Sequence, residues 1–224
     1  RSASANTTLI NNGGVLRLTS QSGQIGTPSD FLLIRTGGTV FASALGDISL
    51  DQTGSLNLVA DSTFGQVNAL SSGDINLSNT RGDIRVGLIR AAGGILIQSV
   101  GQILAGDTLG APANVTGASM TFIVGDGNLG MPAAPVLINT LPGSLFNAYA
   151  PGGLYVGEVS GDLLIGLVQS GGSMALSAAG SLMDNGTGQP MSSALEAAIT
   201  LKQSGMAANA LLQLLVPLAL EDPP

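Results

Sequence analysis

Arg81-Gly82-Asp83 sets a guanidinium and a carboxylate a short distance apart across a glycine, the tripeptide that integrin-type receptors read when a turn presents it. Gly-Asp also recurs without the arginine, at Gly46-Asp47, Gly73-Asp74 and Gly161-Asp162. Arg81, Gly82 and Asp83 are therefore candidate binding residues, with an ordinary turn preceded by a chance arginine as the plainer account. The aspartates Asp47, Asp74, Asp83 and Asp162 could hold calcium or work as paired carboxylates if they stacked on one another. Nineteen residues beyond Asp47 stands Gln66, and nineteen beyond Asp83 stands Gln102. Charged and neutral groups thus alternate along that corner, which relieves repulsion and favours turn chemistry, with each Asp bonding local backbone. Gly125-Asp126-Gly127-Asn128 looks like a calcium turn, but it is not repeated one coil later.

The chain has no Cys and no His. That removes thiolate nucleophiles, imidazole bases, disulfides and the usual zinc ligands together. No catalytic residue, metal or cofactor is assigned, and the chain is read as a non-enzyme. A net charge of −7 with seven basic residues offers no stripe for tracking phosphates, so nucleic acid is excluded as a partner. Only 9% of the residues are charged while 44% are hydrophobic, yet every apolar run is cut within a few positions by Gly, Ser, Asn or Asp. Membrane insertion needs about twenty unbroken apolar residues and is not expected. The apolar fraction must instead be packed inside a fold. Arg1-Ser2 opens the chain with neither Met nor an apolar leader, which reads as an excised fragment of a longer protein.

The positioning elements show themselves as a repeat. A glycine, a polar or small residue and alternating apolar residues recur at Gly46-Asp47-Ile48-Ser49-Leu50, Gly54-Ser55-Leu56-Asn57-Leu58, Gly73-Asp74-Ile75-Asn76-Leu77 and Gly82-Asp83-Ile84-Arg85-Val86. The period of two is that of a half-buried strand. Gly46 to Gly65, Gly54 to Gly73 and Gly82 to Gly101 are each 19 residues apart, and Gly73 to Gly93 is 20. A unit of that length cannot bury its own apolar face, whereas stacked units can, so the chain is expected to coil. Residues 82–103 overlay 161–182 at a constant offset of 79, read as four coils of about twenty. Gly23-Gln24-Ile25-Gly26-Thr27-Pro28 likewise matches Gly127-Asn128-Leu129-Gly130-Met131-Pro132.

Pro112, Pro132, Pro135, Pro142 and Pro151 crowd the region 106–151. Proline cannot donate to a strand ladder, so loops leaving the coil, or edges of it, are predicted there. Ser193-Ala194-Leu195-Glu196 fits a capping box, followed by Ala and Leu at helical spacing and Pro217 as a stop. The predicted fold is all-β: a right-handed parallel β-helix, or β-solenoid, over 1–189 with a short α-helical C-terminal element over 190–224, a cap or a lateral insertion. Eight or nine coils rising about 4.8 Å each make a rod on the order of 40 Å long. Its core should be Ile, Leu and Val stacks without aromatics, because each coil must match the size of its neighbour.

On these Gly-Asp-Ile-x-Leu coils, the paired Gly-x-Ile-Gly-Thr-Pro and Gly-x-Leu-Gly-Met-Pro elements, and the stretch 172–182, the sequence resembles the filamentous haemagglutinin-like exoproteins of two-partner secretion systems in Gram-negative bacteria. The resemblance covers about residues 10–185. It implies a structural or adhesive segment of a large secreted or cell-surface filament, serving attachment, aggregation or biofilm formation. It also implies an outer-membrane transporter for the parent protein, and a host-cell or neighbouring-cell surface protein or glycan as partner. The competing expectation, from fold analogy, is a carbohydrate-active β-helix enzyme, a polysaccharide lyase or hydrolase.

Overall fold

The computed structural model describes residues 8–11 and 14–185; the helices expected over 190–224 lie outside the described residues. In chain order the strands are β1 (Thr8–Asn11), β2 (Leu16–Ser20), β3 (Leu32–Thr36), β4 (Thr39–Ala44), β5 (Ile48–Gln52), β6 (Leu56–Ser62) and β7 (Val67–Ser71). There follow β8 (Ile75–Asn79), β9 (Ile84–Ala91), β10 (Ile95–Ser99), β11 (Ile103–Ala105), β12 (Val115–Gly117) and β13 (Met120–Val124). The last are β14 (Val136–Thr140), β15 (Leu145–Ala150), β16 (Leu154–Glu158), β17 (Leu163–Ser170), β18 (Met174–Ala178) and β19 (Leu182–Asp184).

Two stacks result. One sheet runs β1-β3-β5-β7-β9-β12-β14-β16-β18 with β11 beside β9, and the other runs β2-β4-β6-β8-β10-β13-β15-β17-β19. Named strands pair in parallel throughout, for example Ile48 beside Val67 and Leu56 beside Ile75. Nine strands deep in each sheet, the described residues form a β-solenoid of eight turns from the first rung to the last. Burial follows the period of two: Ile48, Leu50, Leu56, Leu58, Val67, Ala69, Ile75 and Leu77 are at most 1% exposed and fill the space between the sheets. Each such Ile or Leu withdrawn from water contributes about 1.5–3 kcal/mol, and the stacking of like on like lets neighbouring coils share that surface.

The core is not purely aliphatic. Phe122 and Phe146 are fully buried on adjacent rungs, their ring centroids 5.9 Å apart. Coils need not repeat in size when a neighbour makes room: Phe122 lies in register between Ile97 and Ala148, and the small Ala148 leaves space for the rings to pack at 50°.

The proline-rich region departs from expectation in an instructive way. Most of it stays in the solenoid, as β12 to β15. What leaves is brief, and it leaves from the middle of a rung. Ala105 pairs with Val86 and Val115 with Ile89, so residues 106–114 exit and re-enter the same rung. Leu129 pairs with Leu154 and Val136 with Val156, which makes 130–135 a second excursion. Ile25 pairs with Ile48 and Leu32 with Leu50, making 26–31 a third. All three lie on the same sheet. The two that share the sequence element close alike: the Thr27 and Asp30 backbones exchange hydrogen bonds at 2.9 and 3.1 Å, and those of Met131 and Ala134 at 3.0 and 3.1 Å. Pro28 and Pro132 follow directly, at the turn position that suits a fixed φ. Gly26 (φ 65°) and Gly130 (φ 68°) start the two turns, where a Cβ would collide with the backbone carbonyl oxygens of Ser49 and Tyr155.

The offset of 79 is also reinterpreted. It carries β9 of one sheet onto β17 of the other, three and a half turns on, because the excursions lengthen the intervening coils. The likeness survives because both segments do one job: each carries an extra residue against its neighbour, between Val67 and Ala69 in one case and Phe146 and Ala148 in the other. An asparagine of the preceding coil holds each bulge, Asn68 Oδ1 accepting from Leu88 N–H at 2.8 Å and Asn147 Oδ1 from Leu167 N–H at 2.9 Å. Gly87 and Gly166 precede those leucines because a Cβ would meet the same asparagine oxygen.

Candidate functional site

The turn aspartates are tied to the coil that follows each of them. Oδ1 of Asp47 accepts from Gln66 N–H at 2.9 Å, Asp74 from Gly94 at 2.8 Å, Asp83 from Gln102 at 2.8 Å, and Asp162 from Ser181 at 2.7 Å. Asn128 does the same for Gly153 at 2.6 Å. A Cβ at Gly65, Gly93, Gly101 or Gly180 would run into the carboxylate oxygen, so the recurrent Gly and Asp are two halves of one intercoil staple. Asparagine keeps the accepting oxygen. Asp83→Asn should therefore shift the melting temperature by less than about 1 °C, while Asp83→Ala should lower it by about 2–4 °C, the loss of roughly one hydrogen bond. Equal shifts in calorimetry would refute the staple.

Arg81, Gly82 and Asp83 all lie exposed on one turn, with Gly82 at φ 85°. Their side chains engage opposite neighbours. Arg81 Nη1 sits 3.4 Å from Asp61 Oδ2, an ion pair whose arginine side chain is 76% exposed, while Asp83 turns to Gln102. In the Gly125–Asn128 turn, Asp126 is exposed and Asn128 is committed to Gly153. Among the described residues no three acidic side chains gather as a metal would require, and no helix is long and apolar enough to cross a membrane.

A concave site arises where sequence motifs gave no sign of one. Asp47, Gln66 and Arg85 occupy equivalent positions on three successive rungs, each just before an inward residue, Ile48, Val67 or Val86. They point outward and floor a cleft of about 240 Å3. Pro28 of the 26–31 excursion lines it, with Asp107 and Leu109 of the 106–114 excursion. Gln66 fixes the 106–114 loop by both ends of its amide, receiving Asp107 N–H at 2.7 Å and donating to Asp107 O at 3.1 Å. Asn114, 1% exposed, closes the loop by donating to Gly106 O at 3.0 Å and Val86 O at 3.2 Å. The loop is thereby held as part of the scaffold. Leu109 adopts φ 56°, a left-handed conformation that costs an ordinary residue about 1–2 kcal/mol. Phe64 also lines the cleft and is 81% exposed, while Leu45, whose carbonyl accepts Phe64 N–H at 2.9 Å, is 40% exposed.

The architecture defines a parallel β-solenoid with inserted loops on one face. No family model, curated protein or solved structure matches the chain.

Proposed function

We propose that this chain is a structural and adhesive segment of a large secreted or cell-surface bacterial filament, a non-enzymatic one, exported in its parent protein through an outer-membrane transporter. The observation that carries the reading is the intercoil staple: each aspartate of the repeat commits one carboxylate oxygen to holding its coil to the next. A rod built this way can present loops at fixed places, and binding commonly resides in loops on a rigid scaffold. The resemblance of the coils to filamentous haemagglutinin-like exoproteins supports the same reading.

Beads coated with the full chain should adhere to epithelial or bacterial cells more than beads carrying a protein of matched negative charge. No excess adhesion would reject the adhesive part of the proposal. Competition by a soluble Arg-Gly-Asp peptide would place the contact at Arg81-Gly82-Asp83; undiminished adhesion would place it elsewhere. Cleavage of a polysaccharide in the presence of calcium, abolished by Asp83→Asn or Asp126→Asn, would establish the enzyme alternative instead.

A further inference from the structure

We propose that the cleft between residues 26–31 and 106–114 is a binding subsite for an uncharged saccharide of one or two pyranose rings. The inference deepens the adhesive reading and rests on it. Its first support is Phe64. Phe31 and Phe41 are half-buried and Phe122 and Phe146 fully buried, whereas Phe64 is 81% exposed, an apolar face held in water that Leu45 extends by one rung. The C–H face of a pyranose is the complementary surface, flat, weakly apolar and edged with hydroxyls.

The second support is the polar floor. Arg85 donates to Ala105 O at 3.2 Å and forms no ion pair among the described residues. Asp47 spends Oδ1 on Gln66 N–H, and Oδ2 has no partner among the described residues. Asp107 accepts Leu109 N–H through Oδ1 and is likewise without an ion pair there. Around one small cleft these groups supply unspent acceptors and donors beside an aromatic ring, which is what a ring of vicinal hydroxyls requires, since each hydroxyl both donates and accepts. Two carboxylates against one guanidinium, on a chain of net charge −7, disfavour a sulfated or sialylated glycan. The volume of about 240 Å3 lies below the roughly 300–1,000 Å3 of drug-sized pockets, so the site takes one or two rings of a chain and leaves the rest in solvent.

The test is an array of neutral, sialylated and sulfated oligosaccharides probed with the full chain, followed by titration of the best neutral glycan monitored by saturation-transfer NMR. Phe64→Ala should weaken that glycan at least tenfold, and Arg85→Gln about threefold or more, while Leu141→Ala, an exposed residue that does not line the cleft, leaves it unchanged. Both cleft side chains are exposed, so the melting temperatures should hold and unfolding will not mimic lost binding. Retention of no glycan, retention of acidic glycans alone, or a neutral glycan bound equally by Phe64→Ala would overturn the subsite. If the array is silent but coated beads still adhere to cells, the saccharide is wrong and the adhesive reading stands. Glycan bound through Phe64 without cell adhesion upholds the subsite and rejects the adhesive reading.

Discussion

Phe122→Ala should lower the free energy of unfolding by about 3–5 kcal/mol, the largest loss expected from any single side chain here. The phenyl group is fully buried, and its neighbours in register are Ile97 on one side and Ala148 on the other. Neither can close the void. The backbone ladders fix adjacent strands about 4.8 Å apart, and Ala148 has no side chain with which to reach across. The ring of Phe146 loses its tilted partner at the same time. A solenoid is stabilised coil against coil, so the cavity should weaken the rungs around β13 before the rest. Hydrogen exchange should quicken first in β10, β13 and β15, and thermal unfolding should broaden. A loss below about 1 kcal/mol, or uniform acceleration along the chain, would contradict this picture.

Glu158→Ala should cost about 3 kcal/mol by a different route. Glu158 is a carboxylate only 3% exposed with no basic partner among the described residues. Its Oε2 accepts Thr140 N–H and Thr140 Oγ1–H, both at 2.9 Å, and its Oε1 accepts Ser160 N–H at 3.1 Å. Removing the carboxylate strands three donors in a site that water reaches poorly, and each hydrogen bond to a charged acceptor contributes about 1.5–3 kcal/mol before the hydroxyl re-orients. Glu158→Gln retains one accepting oxygen and should lose about half as much. Chemical denaturation of the two variants checks the order, and an alanine variant no weaker than the glutamine one would contradict it. The corresponding corner five turns earlier uses Gln52, whose amide Nε2 donates to Thr36 O at 2.6 Å while Oε1 accepts Thr36 N–H at 3.3 Å. An amide suffices where it can answer both a donor and an acceptor; where only donors face inward, as at Thr140 and Ser160, a carboxylate serves better.

The coils were legible because two signals coincide in Gly46–Leu50 and its copies. Alternation marks the strand, and the glycine at 19- or 20-residue spacing marks the turn. The partnership of those glycines with aspartates was legible only as alternation along a corner, Asp47 then Gln66 and Asp83 then Gln102. Its cause, a carboxylate seated on the next coil's glycine, needs three dimensions. The prolines left two readings open, a loop or an edge. Pro142 and Pro151 stand just outside β14 and β15, where a missing N–H costs no ladder bond, and so they bound strands. The mid-rung excursions were hidden because pairing resumes in register on either side, as at Ala105 and Val115. The cleft was the least legible feature, since Phe64 and Asp107 belong to no motif, Arg85 stands at a variable position of its repeat, and the three meet only through the stacking of coils and the anchoring of one loop by Gln66 and Asn114.

The parallel stacking of short rungs also sets how such a rod bears tension. Force along its axis is perpendicular to the strands and loads the interstrand hydrogen bonds a few at a time, so a coil should peel away before the next is stressed. A coil of about twenty residues contributes about 4.8 Å of rod and about 65 Å of extended chain. Pulled at moderate force, the protein should lengthen in steps of about 60 Å and recoil by the same steps. The staple hydrogen bonds add to the ladder bonds that each step must break, so a rod of such coils would act as a shock absorber.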